Sequence, residues 1–319
     1  MKYIIITLVK NEFSNLLRTA KYVTEQSLKP ELWVIVDDNS TDQTPDLIRK
    51  LRKNYDFIVA IQLPTNEKSY NSVTKYGYAI RYATNYVMLN YYDVYNKINY
   101  VGVLDADLYI PSNYYDKVIK LHESNKHIGI ASGLFFEVLK PFTKRRGKII
   151  KLRLYPWPIS AAMIIKKECL EEIGGFPTVP QPDVAAMIKA IEKGWKIGVT
   201  TSTYAIHLRP RNLKTLINAG YGNYLLHLPL IKGLLQGLYN AIKFRYPQQV
   251  GLTIGYLIGL ASRENKINDQ IIHKYLRNIN TSRIIKNSII YSALNRKYIN
   301  YKILEKFTKN IYYVIDQKI

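Results

Sequence analysis

An α/β fold is predicted for residues 1–211 of this 319-residue chain, a mostly parallel sheet with helices on both faces, followed by a helical region over residues 212–319. Three observations predict it. Short β-branched and aromatic runs alternate with helix-period segments through roughly the first 140 residues, the pattern of successive βαβ units. Acids cluster directly after two of those runs, where the carboxyl ends of parallel strands open to ligands. Near Asn212 the sequence then changes to apolar, glycine-punctuated helical stretches and ends rich in Lys, Ile, Asn and Tyr.

Each element has its own signal. Tyr3 to Val9 is an unbroken apolar run of strand length, and Phe13 to Gln26 places Leu16, Leu17, Ala20 and Val23 at helical spacing. Leu32 to Val36 is a second strand. A helix follows from Thr44-Pro45, with Thr as cap, Pro at the first helical position, and Leu47, Ile48 and Leu51 facing inward. Phe57 to Leu63 is the third strand, a helical stretch runs from about Val73 to Tyr95, and Tyr100 to Leu104 is the fourth strand. Lys144 to Lys148 reads as an exposed basic loop and Tyr155-Pro156-Trp157-Pro158 as a rigid turn, after which the sheet resumes at Ala161 to Ile165. Val184, Met187, Ile188 and Ile191 share one face of a helix that stops at Gly194, and Trp195 to Ile206 is a further strand. No internal repeat is present.

Composition excludes several classes. A hydrophobic content of 47% is that of a folded chain, and the single Cys169 excludes a disulfide framework or a cysteine-rich zinc site. Met1-Lys2 leads straight into the first strand with no secretory leader, so a cytoplasmic location is expected. The net charge of +22 implies polyanionic partners: phosphorylated substrates, anionic lipid or nucleic acid. Charge alone carries the nucleic-acid reading, since no helix-turn-helix, RNA-binding sheet signature or zinc finger occurs. Residues 212–319 hold 16 Lys or Arg against 4 Asp or Glu. Their apolar stretches fall short of the ~20 residues that span a bilayer. They are expected to lie on the cytosolic face of an anionic membrane, or else to pack back on the sheet or form a dimer contact.

The chemistry concentrates at two strand ends. Leu104-Asp105-Ala106-Asp107 sets two carboxylates one residue apart, a hard-oxygen pair for Mg²⁺ or Mn²⁺ or an acidic turn capping the strand. Val36-Asp37-Asp38-Asn39-Ser40-Thr41-Asp42 ends the second strand, where Asp37 or Asp38 can accept hydrogen bonds from a base NH or a ribose hydroxyl.

In this order the motifs resemble family 2 glycosyltransferases, nucleotide-sugar-dependent enzymes of the GT-A fold. The resemblance covers about residues 1–200 and rests on Thr7-Leu8-Val9-Lys10-Asn11-Glu12, Asp37 to Asp42, Gly77, Asp105-Ala106-Asp107, Gly174-Gly175-Phe176-Pro177 and Lys193-Gly194-Trp195. It implies that Thr7, Asn11, Glu12, Asp37, Asp38 and Asp105 border a nucleotide pocket, that Asp105 and Asp107 hold Mn²⁺ or Mg²⁺, and that His207 completes the metal or phosphate site. It further implies inverting transfer of a hexosyl or N-acetylhexosaminyl group from a UDP- or GDP-linked donor to a hydroxyl acceptor, such as a lipid-linked glycan, with Asp183 as general base. The chain departs from the family pattern at Pro182, where Glu is usual, at Ala185, a commonly acidic position, and at Lys75, where Asn is usual.

Alternatives stand beside that reading. Asp183 is also placed to cap a helix, His207 to be structural, and Arg209, Arg211 and Trp157 to be surface or turn residues. A polyprenyl-phosphate sugar synthase shares the Asp-Ala-Asp motif and, with an acceptor already anionic, needs no strong base. A non-catalytic nucleotide-sugar or polyanion-binding protein on the same fold is the remaining alternative.

Overall fold

Strand β1 (Tyr3–Val9) sits at the middle of the parallel half of the sheet, and its alternation sets how the sheet is covered. Tyr3, Ile5 and Val9 enter one apolar cluster and Ile4 and Ile6 the other. A strand buried on both faces reads as continuous rather than alternating hydrophobicity.

The computed structural model describes residues 1–64, 73–138, 152–155, 157–244 and 246–277. After β1 come α1 (Phe13–Thr24), β2 (Leu32–Asp37), α2 (Thr44–Asn54), β3 (Ile58–Gln62), α3 (Lys75–Asn90), α4 (Tyr92–Lys97), β4 (Tyr100–Leu104) and β5 (Leu108–Tyr109). Then follow α5 (Tyr114–Ser124), β6 (Ile128–Val138), β7 (Leu152–Tyr155), β8 (Ala162–Lys166), α6 (Lys167–Glu172), α7 (Pro182–Glu192) and β9 (Lys196–His207). The remaining helices are α8 (Leu213–Leu225), α9 (Leu230–Phe244), a 3₁₀ turn (Pro247–Val250), α10 (Gly251–Ser262) and α11 (Gln270–Arg277).

Among the described residues the strands form one sheet in the order β3-β2-β1-β4-β8-β6-β9-β5, with β7 added on β6. Pairing is parallel from β3 through β4 and again between β6 and β9, whereas β8, β7 and β5 run antiparallel to their neighbours. The α/β class and the parallel half are those expected from the sequence; the antiparallel strands give the far half its mixed character. Helices α1, α2 and α5 cover one face through Leu16, Leu47 and Val118. Helices α3, α4, α6 and α7 cover the other through Ile80, Tyr95, Leu170 and Met187.

Some local expectations are corrected. The stretch from Val73 to Tyr95 is two helices, broken where Tyr91 leaves helical geometry at φ −132° and ψ 46°. Leu17 is exposed rather than on the buried stripe. Thr44 lies inside its helix, and its hydroxyl accepts the Glu12 N–H at 2.9 Å instead of capping. Helix α7 begins at Pro182, so Asp183 lies in its first turn and the cap position is Gln181.

The helices after β9 are fixed to the rest. Asn212 caps α8 by accepting the Thr215 N–H at 2.9 Å. Helices α8 and α10 meet backbone to backbone: a Cβ at Gly220 would collide with the Leu252 carbonyl, and one at Gly255 with the Ile217 carbonyl. Ile272 and Leu276 of α11 pack on Ala185 and Ile188 of α7, and Lys189 pairs with Asp269 at 2.8 Å. The basic Lys144 to Lys148 segment and residues 278–319 lie outside the described residues.

Two predictions follow from this packing. Gly77 on α3 faces the Pro177 carbonyl so closely that a Cβ would collide with it. Gly77→Ala should therefore lower stability by about 1–3 kcal/mol in urea unfolding, and an unchanged midpoint would contradict the packing. Burial pushes buried His122 down to about 4, against a backbone hydrogen bond to the Ile128 carbonyl. Its folded pKa is below the unfolded value near 6.5, so on acidification the unfolded chain binds the proton first. Stability present above about pH 6.5 should fall as pH drops toward about 4, and His122→Gln should flatten that part of the curve; equal slopes in the two proteins would contradict the assignment.

Candidate active site

The acidic pair leaves the sheet at the end of β4 and is held from several sides. Asp105 N–H donates to the Ala161 carbonyl at 2.8 Å, just before β8, and the Ala106 carbonyl accepts from Thr19 Oγ1 of α1 at 2.5 Å. The chain then forms β5, whose two residues pair with the end of β9, Leu108 opposite His207 and Tyr109 opposite Ile206. Leu208 N–H closes the junction on the Asp107 carbonyl at 3.1 Å. That register puts His207 Nε2 3.2 Å from Asp107 Oδ2. Asp105, Asp107 and His207 each offer a ligand atom, all within 4.8 Å of one another. Tyr76 of α3 donates its hydroxyl to Asp105 Oδ1 at 2.6 Å.

The charges here are strongly interdependent. Burial and the Asp107 charge push the Asp105 carboxyl up to about 6, against the Tyr76 hydrogen bond and the His207 charge. Burial acts the same way on Asp107, but the His207 hydrogen bond and charge, with Arg209, outweigh it and hold Asp107 below the usual carboxylate range. For His207 burial opposes protonation, and the hydrogen bond and charge of Asp107 overcome it, so its pKa is raised. Arg209 bridges the strand ends, with Nη2 2.8 Å from Glu12 Oε1 and 2.9 Å from Asp107 Oδ2.

The β1 and β2 ends adjoin this cluster, since β1 pairs in parallel with both β2 and β4. Their residues divide by role. Asn11, at φ 54°, accepts the Thr41 N–H on its side-chain oxygen at 2.7 Å and so ties the two strand ends together. Asp37 accepts from Ser40 N–H and hydroxyl at 3.1 and 2.5 Å. Thr7 and Asp38 each engage neighbouring side chains. Thr7 is fully buried and accepts the Trp33 indole N–H at 3.0 Å. The carboxylate of Asp38, 4% exposed, lies 2.5 Å from Lys75 Nζ and 3.3 Å from Lys10 Nζ. Lys75 in place of the usual Asn thus has a partner, a buried acid.

A cavity of about 750 Å³ opens over the acidic pair and the β1 end. Lys10, Glu12, Tyr76, Asp105, Asp107 and His207 line one part, and Trp157, Asp183 and Arg211 line it beyond them. Asp183 sits in the first turn of α7 with Ser160 N–H 3.5 Å from its Oδ2. Burial raises its pKa, against backbone hydrogen bonds and the charge of Arg211. Arg211 Nε lies 2.9 Å from Glu137 Oε1, and its Nη2 donates to the Tyr155 hydroxyl at 2.7 Å, while Tyr155 donates to Glu137 Oε2 at 2.5 Å. Trp157 stands edge-on to Tyr155 at 5.9 Å.

Sequence reasoning missed Tyr76 and Glu137. Glu137 had a usable signal, an acid inside the apolar run Leu134-Phe135-Phe136-Glu137-Val138, because a buried charge requires a partner. Tyr76 had none, since its partner lies 29 residues away on another element.

With the geometry in hand, comparison with known proteins is informative. The model of the family described as Glycosyl transferase family 2 matches residues 4–179, more than half of the chain. No curated protein sequence matches. Among solved structures, the mannosyltransferase PcManGT from Pyrobaculum calidifontis, in complex with GDP-Man and Mn²⁺, aligns at a TM-score of 0.52 with 14% identity, over 97% of this chain and 84% of that one. GalNAc-T7 with UDP, GalNAc and Mn²⁺ aligns at a TM-score of 0.52 with 13% identity, over 90% of this chain and 57% of that one. S. aureus TarS 1–349 in complex with UDP aligns at a TM-score of 0.47 with 14% identity, over 84% of this chain and 95% of that one. At such identities the likeness is one of fold, the GT-A fold. The family match covers the strands and loops that carry the acidic pair and the Gly77 contact, and the chain belongs to glycosyl transferase family 2.

Proposed function

We propose that this protein moves a sugar from a UDP- or GDP-linked donor to a hydroxyl acceptor, with inversion and with Mn²⁺ or Mg²⁺ as cofactor. The observation that carries the reading is the convergence of Asp105, Asp107 and His207 in the cavity that Asp183 also lines. These donors fit a hard divalent ion: two carboxylates and an imidazole, with Asp107 buried, Asp105 half-buried and the Asp105 carboxyl pushed up by its surroundings. When bound, the ion stabilises negative charge developing on the leaving diphosphate. PcManGT and GalNAc-T7, which share the fold, are both complexed with Mn²⁺ and a nucleotide or nucleotide sugar.

The chain's own groups supply the rest. Asn11, Glu12 and Asp37 form the nucleotide side of the rim, with Thr7 and Asp38 as supports behind it. Lys10 and Arg209 offer positive charge to the phosphates. Asp183 takes the proton of the acceptor hydroxyl as its oxygen attacks the anomeric carbon. The bond to the diphosphate oxygen breaks and its electron pair leaves with the nucleotide. A carboxylate whose pKa is raised by burial is a stronger base for that step.

The same reading seats the enzyme on an anionic membrane, with the sugar end of a lipid-linked glycan as acceptor. Among the described residues no helix is long and apolar enough to cross a membrane. Helix α9 instead turns Ile231, Leu235, Leu238, Tyr239 and Ile242 outward, with Ile242 80% exposed, and turns Gly233, Gly237 and Asn240 inward. An apolar outer face on a strongly basic chain complements anionic lipid in both hydrophobicity and charge.

Asp183→Asn should lower kcat on a hydroxyl acceptor by about 100-fold or more, while calorimetry shows donor binding retained. Full turnover by that variant on a polyprenyl phosphate would instead identify the synthase alternative. For the membrane, the protein should pellet with vesicles containing phosphatidylglycerol and much less with pure phosphatidylcholine, and Ile231→Ser with Ile242→Ser should abolish the difference. Pelleting of the double variant with phosphatidylglycerol vesicles to the same extent as the wild type would refute the assigned face.

A further inference from the structure

The acceptor side of the cavity differs chemically from the donor side. From residue 212 onward its lining is Asn212, Thr215, Leu216, Ala219 and Leu252 together with the carboxamides of Asn223, Gln236, Asn240 and Gln249. None of these is charged, although residues 212–319 are strongly basic. The carboxamides come from separate elements. Asn223 is on α8, Gln236 and Asn240 on α9, and Gln249 in the 3₁₀ turn, while Gln181 joins them from the cap of α7 beside Asp183.

Part of this wall is organised. Gln181 Nε2 donates to Asn223 Oδ1, and Asn223 Nδ2 donates to Gln236 Oε1 at 3.0 Å. Gln249 is different. It is 1% exposed, and neither its side-chain oxygen nor its nitrogen has a hydrogen-bond partner among the described residues. A buried amide without partners is costly and is uncommon in a finished protein interior. Gln249 also lines the cavity, where a ligand could supply the donor and the acceptor that its amide lacks.

We propose that this carboxamide wall is an acceptor subsite for a neutral sugar residue, with Gln249 recognising a hydroxyl group. The inference rests on the glycosyltransferase reading and names its acceptor class. A sugar hydroxyl both donates and accepts, as a carboxamide does, so the two pair without any charge. A phosphate group would call for cations instead. Arg211 is a cation that lines the same cavity, and it is engaged by Glu137 and Tyr155. The wall therefore selects the sugar of a glycan rather than a polyprenyl phosphate.

The test is direct binding to the full chain, by calorimetry, of p-nitrophenyl glycosides of glucose, galactose, mannose and N-acetylglucosamine, with farnesyl phosphate as the anionic comparison. At least one glycoside should bind, farnesyl phosphate should not, and Gln249→Leu should weaken glycoside binding tenfold or more. That variant should unfold at the same or a higher temperature, because it removes an unpartnered buried amide. A residue with a purely structural role would show the opposite change. Gln236→Ala, at an exposed position, gives a second weakened variant that does not threaten the fold. Binding of farnesyl phosphate in preference to every glycoside, or glycoside affinity unchanged in both variants, would overturn the subsite. Manganese-dependent UDP or GDP binding by the same wild-type sample separates two failures. Its presence without glycoside binding overturns the subsite alone, and its absence overturns the glycosyltransferase reading as well.

Discussion

The two-residue ladder between Leu108-Tyr109 and Ile206-His207 is the constraint on which the site depends. It is a short piece of sheet, yet it joins a turn leaving β4 to the end of a strand about a hundred residues later. Its register decides that the imidazole meets Asp107, because a slip of one residue would turn His207 to the other face. The ladder is backed by β6, which pairs with β9 along most of its length and brings Glu137 level with His207. Backbone pairing of this kind lets buried carboxylates face each other, since the sheet supplies the geometry and each acid needs only a compensating partner.

The compensation extends outward in a chain of like design. Asp38 is matched by Lys10 and Lys75, Glu12 and Asp107 by Arg209, and Glu137 by Arg211 and Tyr155. Of the five non-glycine residues that hold left-handed backbone among the described residues, Asn11 and Asn39 follow the β1 and β2 ends and Gln181 caps α7 beside Asp183, while His227 and Arg263 lie in the helical region. Such conformations carry local strain and tend to gather at functional loops. Past Arg211 the pattern stops, and the cavity wall becomes amide and hydroxyl. The change in chemistry coincides with the change from sheet to helical sequence near Asn212.

Much of this was legible in the residues. β1 was read to its final bounds, and the parallel half followed from unbroken apolar runs that only a doubly covered sheet can bury. The acidic pair was legible because Asp105 and Asp107 follow such a run. Other features carry no local signal. β5 has two residues and is defined by its partner alone. The break at Tyr91 has no Gly or Pro to announce it. Thr7 and Asp38 matched a motif in type and position, but the pattern gave no sign of their partners, Trp33 for the one and Lys10 and Lys75 for the other. The carboxamide wall is drawn from α8, α9, the 3₁₀ turn and the distant cap of α7, so it exists only once these helices pack against one another.

The central claim is that Asp105, Asp107 and His207 bind one divalent ion together with a nucleotide diphosphate. Electron paramagnetic resonance of Mn²⁺ tests it most directly. The account predicts that the free-ion signal falls when protein and UDP or GDP are both present, and that Asp105→Ala restores it. A signal unchanged by the wild-type protein with either nucleotide, or an equal loss with Asp105→Ala, would contradict it.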